Sequence, residues 1–180
     1  MRLPRWLDAI LDRLRRSRRR ESPRDVYAGL RTQALSLDPA SIVVPTGEPW
    51  HGAAMAVMEL AVEKGTASVV AVADGSVSLY LSTGGGVIGA GGHASVRDAA
   101  GRFRLLAGEL RGAMAVAVDG FPLPEAGEVR FHVTTGEERY SSAAPESALR
   151  SGRHPLAQLY AAGQDLLTEI RLSTPDGEHG

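Results

Sequence analysis

The chain has 180 residues and 43% hydrophobic content, enough for one ordinary domain with appendages and a core that needs no staples. It has no Cys, which excludes disulfides, thiolate metal sites and thiol nucleophiles and fits a reducing, cytoplasmic compartment. The net charge of −1 hides a division: residues 1–20 hold eight Arg against Asp8 and Asp12, a net +6, whereas residues 21–180 hold 12 basic and 19 acidic residues, a net −7.

The cationic arm, residues 1–20, has a helical stripe. Leu3, Trp6, Leu7, Ile10, Leu11 and Leu14 recur at helical spacing, and Arg15, Arg16, Arg18, Arg19 and Arg20 follow. An amphipathic helix ending in an Arg run suits docking on an anionic surface, such as the periphery of the inner membrane. The competing readings are a stripe that anchors in a protein groove and a helix packed on its own domain. A nucleic-acid partner is disfavoured, because it leaves the stripe unexplained and the acidic body would repel a duplex. Asp8 and Asp12 interrupt the apolar stretch, and no small-residue cleavage site follows, so a secretory signal is not expected. Residues 76–96 lack charge, but their six Gly and several Ser and Thr read as strand and loop, not as a membrane span.

Residues 21–172 read as one α+β domain. Ser22, Pro23 and Asp25 form a helix start with a capping box, and Val26, Tyr27, Leu30, Ala34 and Leu37 form one face up to Asp38 and Pro39. A second helix is predicted over 49–64, with Trp50, Ala54, Val57, Met58 and Ala61 inward and Gly65 as its C-terminal cap. Residues 69–73 and 76–81 flank Asp74 and Gly75 as a hairpin with a two-residue turn. That turn pairs Val72 with Val77, Val70 with Leu79 and Ser68 with Leu81, and places Val70, Val72, Val77, Leu79 and Leu81 on the face that meets the helices. After a Gly-rich loop, a helix runs from about 93, with Val96, Ala99, Ala100, Phe103, Leu106, Ala107 and Leu110 on one side. Residues 113–118 fit both a helical stripe and strand alternation; helix is preferred. Residues 128–134 form a strand with Val129, Phe131 and Val133 inward and Arg130, His132 and Thr134 outward. A weaker strand near 139–142 and a polar loop precede a last helix from 155, with Leu156, Leu159, Tyr160, Gly163, Leu167 and Ile170 on one side. Residues 173–180 read as a frayed tail.

The loop at Ser82, Thr83, Gly84, Gly85, Gly86 and Gly89, followed by His93, is the candidate ligand site. Gly84 to Gly89 formally match GxGxxG, which cradles phosphate on exposed backbone N–H groups. However, the strand before it belongs to a tight hairpin, so no parallel βαβ unit is available, and glycines that permit an unusual backbone path are the preferred reading. His51, His93, His132, His154 and His179 show no ligand spacing, so no metal is predicted. No catalytic residue and no cofactor is assigned either; there is no G-x-S-x-G, and the carboxylates are scattered.

The stretch ADGSVSLYLSTGGGVIGAG, residues 73–91, resembles a group of small bacterial proteins with no assigned activity. The likeness extends to FPLP at 121–124, VRF at 129–131 and RHPL at 153–156. The order helix, hairpin, helix, strands, helix is similar to profilin-like and roadblock-type domains, which implies a binding or dimerisation scaffold. Together these readings predict an antiparallel sheet of hairpins with helices on one face and a basic amphipathic N-terminal helix. The function expected is a non-enzymatic interaction or adaptor module with a protein partner, held at a membrane or other anionic surface; homodimerisation stays open. The alternatives are a ligand-binding protein or enzyme that uses the 84–92 loop, and an immunity or inhibitor protein whose acidic body masks a basic partner.

Overall fold

The computed structural model describes residues 22–44, 50–117, 120–136 and 138–174. The arm's Trp6, Leu7, Ile10, Leu11, Leu14 and Arg run, together with the tail from residue 175, lie outside the described residues. The chain forms an α+β structure around a seven-stranded antiparallel sheet.

Helix α1 (Pro23–Leu35) starts as its sequence predicts. The Ser22 hydroxyl accepts from the Asp25 N–H at 3.3 Å, and the Asp25 carboxylate accepts from the Ser22 N–H at 3.1 Å. Two of the helix's first backbone donors are thereby satisfied. Tyr27, Ala34 and Leu35 are buried beneath it, with Leu30 and Leu37 at the margin.

The predicted second helix over 49–64 is instead strand β1 (Met55–Val62). Its first residues alternate between two cores: Ala56 and Met58 join one, Met55 and Val57 the other. A strand buried on both faces reads as a continuous apolar run, which a 3.6-residue period fits equally well. Gly65 is therefore not a helix cap. It opens β2 (Gly65–Val72), which pairs with all of β1.

The hairpin between β2 and β3 (Val77–Leu81) exists, but its register is one residue from the prediction. Val69 faces Leu79, Ala71 faces Val77, and Ser68 faces Tyr80. The loop holds three residues, not two. The Gly75 N–H donates to the Val72 carbonyl at 3.1 Å, the Val72 N–H donates to the Ser76 carbonyl at 2.9 Å, and Gly75 has φ +87°. This is a type I turn closed by a left-handed bulge. The slip changes which β2 residues share a face with Val77 and Leu79: Val69 and Ala71 join them against one pair of helices, and Val70, Val72 and Tyr80 meet α1.

Strand β4 (Gly86–Ile88) adds one edge, and α2 (Ala94–Glu109) follows as expected, burying Val96, Ala99, Ala100, Phe103 and Ala107. The preferred helix at 113–118 is corrected to a short strand, β5 (Ala115–Val116), on the opposite edge of the sheet. Strands β6 (Glu128–Thr134) and β7 (Arg139–Pro145) complete the order β4-β3-β2-β1-β6-β7-β5, with every pair antiparallel. The polar loop after β7 holds a short helix, α3 (Glu146–Arg150), and α4 (Ala157–Ser173) ends the described chain.

Helices do not pack on one face only, as predicted. The pair α2 and α4 cover one face through Phe103, Leu159, Leu166 and Ile170. Helix α1 covers the other through Tyr27, Ala34 and Leu35. His132 and Thr134, predicted to point outward, are 1% and 3% exposed because α1 and its neighbouring loop close that face. Among the described residues, no helix is long and apolar enough to cross a membrane.

Candidate functional site: a buried charge cluster under the first helix

The α1 face of the sheet carries one cluster of ionisable groups. Antiparallel pairing places Glu59 of β1 between Ser68 of β2 and Arg130 of β6, and places His132 one step along on the same face. Helix α1 lowers Arg31 and Tyr27 onto this row. Arg31 Nε donates to Glu59 Oε1 and Arg31 Nη2 to Glu59 Oε2, each at 2.7 Å. The Ser68 hydroxyl donates to Glu59 Oε1 at 2.7 Å. Ser68 has one proton and has given it to Glu59, so the Tyr27 hydroxyl is the donor in its 2.7 Å bond with Ser68 Oγ.

His132 Nε2 lies 3.2 Å from Glu59 Oε2. A carboxylate only accepts, so Nε2 carries the proton and Nδ1 carries the lone pair. The His132 ring also meets Phe121 edge-on, with ring centroids 5.1 Å apart. Arg31 Nη2 extends past Glu59 to the carbonyl oxygens of Phe121, at 2.8 Å, and Pro122, at 3.2 Å. Arg31 therefore ties three pieces together: α1, the centre of the sheet, and the extended 121–122 segment before β6.

The electrostatics follow from burial and pairing. Glu59 is fully buried, which by itself would raise its pKa. Hydrogen bonds from His132 and Arg31, with the Arg31 charge, outweigh burial and hold the carboxyl at about 2. Burial pushes His132 below its ordinary value, and the hydrogen bond to Glu59 only partly offsets this. Burial, reinforced by the Glu59 charge, raises Tyr27. At neutral pH the cluster is thus Arg⁺, Glu⁻, neutral His and neutral Tyr. Glu59 accepts four hydrogen bonds, which fills a carboxylate's lone-pair sites, and its low pKa makes it a poor base. The arrangement works as a clamp that holds α1 on the sheet.

The sequence-predicted loop is built differently. Ser82 Oγ accepts from the Thr66 N–H at 2.8 Å and so belongs to the sheet. The Gly84 N–H donates to the Leu81 carbonyl, and the N–H groups of Gly92 and His93 donate to Gly89 and Ala90. These donors are spent in turns. Gly84, Gly85, Gly86 and Gly89 all take positive φ, and a Cβ on Gly86 would overlap the Leu79 carbonyl oxygen. Thr83 is exposed, and His93 is exposed at the start of α2 with no side-chain capping bond. The loop therefore gathers Ser82, Thr83, Gly84, Gly85 and Gly86 at one sheet edge through turn geometry. His154 accepts from the Leu156 N–H at 3.1 Å before α4. Among the described residues, no three His, Asp or Glu come close enough to hold a metal ion.

The sequence reading missed Glu59, Arg31 and Ser68 altogether. The available signal was a single carboxylate inside the apolar run Met55–Val62, which becomes meaningful once that run is a strand. Compared with family models, curated proteins and solved structures, the chain gives no match.

Proposed function

We propose that the chain is a non-enzymatic interaction module, placed on an anionic membrane surface by its basic N-terminal segment. The observation that carries this reading is the charge division joined to a rigid root. Residues 1–20 hold a net +6, and they precede a helix that is capped at Ser22 and clamped to the sheet by Arg31 and Glu59. A cationic segment that precedes a clamped helix in the chain tethers everything behind it to the surface it meets. The acidic remainder, net −7, is then held away from the anionic surface and left free for a protein partner.

Each Arg close to an anionic leaflet contributes on the order of 1 kcal/mol, and the Trp6–Leu14 stripe adds apolar burial. The test is sedimentation of the full-length chain with vesicles of phosphatidylserine and phosphatidylcholine. A variant with Arg15, Arg16, Arg18, Arg19 and Arg20 changed to Gln is compared alongside. Pelleting should require phosphatidylserine, weaken with added salt and fall sharply in the variant. Equal pelleting of both proteins contradicts the proposal.

A further inference from the structure

We infer that α1 is a latched lid. It lifts off the sheet as a unit while α2, α4 and the sheet stay folded, and it thereby presents the buried polar face beneath it to solvent.

The two faces of the sheet differ in kind. Seven polar or charged side chains are buried among the described residues, and one of them, Ser76, sits in the β2–β3 turn. The other six are strand residues: Glu59, Thr66, Ser68, Ser78, His132 and Thr134. Strand pairing puts all six on the α1 side. Glu59 faces Ser68, with Thr66 two residues along β2. Ser78 faces Val70, His132 faces Val57 and Thr134 faces Met55, and these three apolar partners belong to the core under α1. The α2 and α4 side buries none of them. Five buried side-chain atoms also lack a hydrogen-bond partner: Ser78 Oγ, Tyr80 OH, Arg130 Nε, His132 Nδ1 and Ser141 Oγ. All five lie on the α1 side as well. Ser78 and Tyr80 are close on β3, yet their hydroxyls do not meet in hydrogen-bond geometry.

Closing α1 takes water from these groups and leaves five atoms without a replacement partner, which opposes closure. The apolar gain on the other side of the balance is small. Helix α1 buries three residues, Tyr27, Ala34 and Leu35, whereas α2 and α4 bury six each. What keeps the closed form dominant is the latch, in which Arg31 meets Glu59 and Tyr27 meets Ser68. Such a latch is all-or-none. A part-way shift would separate Arg31 from Glu59 while both stay dry, which is worse than either the seated or the fully lifted position. Helix α1 therefore opens cooperatively. Few buried apolar contacts are the mark of a segment that opens below the global limit. The chain from Ser36 to Gly52 is long enough to span the swing, while the Ala53 N–H stays bonded to the Arg104 carbonyl at 3.0 Å. This opening does not depend on docking of the N-terminal segment.

The test is native-state hydrogen exchange of the full-length protein, read amide by amide by NMR without urea and in low urea. Amides from Gly29 to Leu35 in α1 should be protected at least about tenfold less than those from Leu159 to Ile170 in α4. Their exchange should also respond less to urea, because lifting one helix uncovers less surface than unfolding does. Ile170→Val, on the far face, should speed exchange in α4 by about threefold or more and leave α1 unchanged, since the seated and lifted forms share its cost. Glu59→Gln should speed exchange in α1 by about 100-fold or more. Tyr80→Phe should slow it, because closure no longer desolvates a hydroxyl that finds no partner. Equal protection of α1 and α4 overturns the inference, as does acceleration of both helices by Ile170→Val. Exchange in α1 that Glu59→Gln leaves unchanged, or that Tyr80→Phe leaves unchanged or speeds, overturns it too.

Discussion

Replacing Glu59 with Gln keeps the side chain's shape and removes its charge, so it isolates what the clamp contributes. Arg31 would then sit against the sheet without a counter-charge, its side chain only 14% exposed. The new amide N–H group would face Arg31 Nη2 or His132 Nε2, which are donors themselves. Two estimates agree on the size of the effect. A carboxyl whose pKa falls from 4.5 to about 2 is stabilised as an anion by about 3 kcal/mol. Removing one partner of a buried ion pair costs roughly 3–5 kcal/mol. Such a loss is a large part of the roughly 5–15 kcal/mol that holds a typical domain folded, yet the variant should still fold. Urea denaturation at pH 7, followed by far-ultraviolet circular dichroism, reads the difference. With a slope of about 2 kcal/mol per molar, the midpoint should fall by about 2 M. A paired variant, Arg31→Met with Glu59→Leu, removes both charges and fills the space with apolar groups. It should lose much less than the sum of the single changes, because no charge is left stranded. A loss below about 1 kcal/mol in Glu59→Gln would show that the pair contributes no more than an exposed ion pair and does not clamp α1.

Acidification should weaken the fold in two stages. His132 binds its proton less readily folded than unfolded, so its contribution is present above pH 6.5 and fades as pH falls below that value. Glu59 contributes stability that is complete above about 4.5 and fades as pH falls toward about 2. The urea midpoint should therefore decline from pH 7 to pH 3, and Glu59→Gln should flatten the lower part of the curve; an unchanged lower limb in the variant would count against the assignment. Gly86→Ala should lower the melting temperature more than Gly89→Ala. Both glycines have positive φ, but a Cβ at Gly86 would also collide with the Leu79 carbonyl oxygen, whereas one at Gly89 meets nothing within 4 Å. Equal melting of the two variants would show that the close approach at Gly86 is relieved at no cost.

Legibility varied with how local the physics was. The α1 start could be read because its capping box is closed within four residues, Ser22 to Asp25. Strand β6 could be read because Val129, Phe131 and Val133 alternate without interruption. Strand β1 could not, because burial on both faces erases alternation, and alternation is what separates strand from helix. The β2–β3 register was lost to a single bulge residue at Gly75, which set the side chains of β2 on the opposite face relative to those of β3. That slip also hid the clamp. With Ser68 set against Leu81 and Glu59 on a helix, nothing in the pattern brought Ser68, Glu59 and Arg31 together. His132 looked solvent-facing because a strand pattern shows alternation and does not show what covers the second face. The clamp depends on three strands and a helix meeting, a relation that no local sequence window contains.

Trp6 reports directly on docking of the basic segment on an anionic membrane. The chain has two Trp, so Trp50→Phe leaves Trp6 as the sole reporter. Its fluorescence is recorded in buffer, with phosphatidylcholine vesicles and with phosphatidylserine vesicles, some carrying brominated acyl chains. Docking predicts emission typical of a hydrated indole in buffer, then a blue shift and quenching by the brominated chains with phosphatidylserine vesicles alone, both reversed by salt. Emission that is already blue-shifted in buffer and unchanged by phosphatidylserine vesicles would contradict it, because the Trp6–Leu14 stripe would then be packed on its own domain.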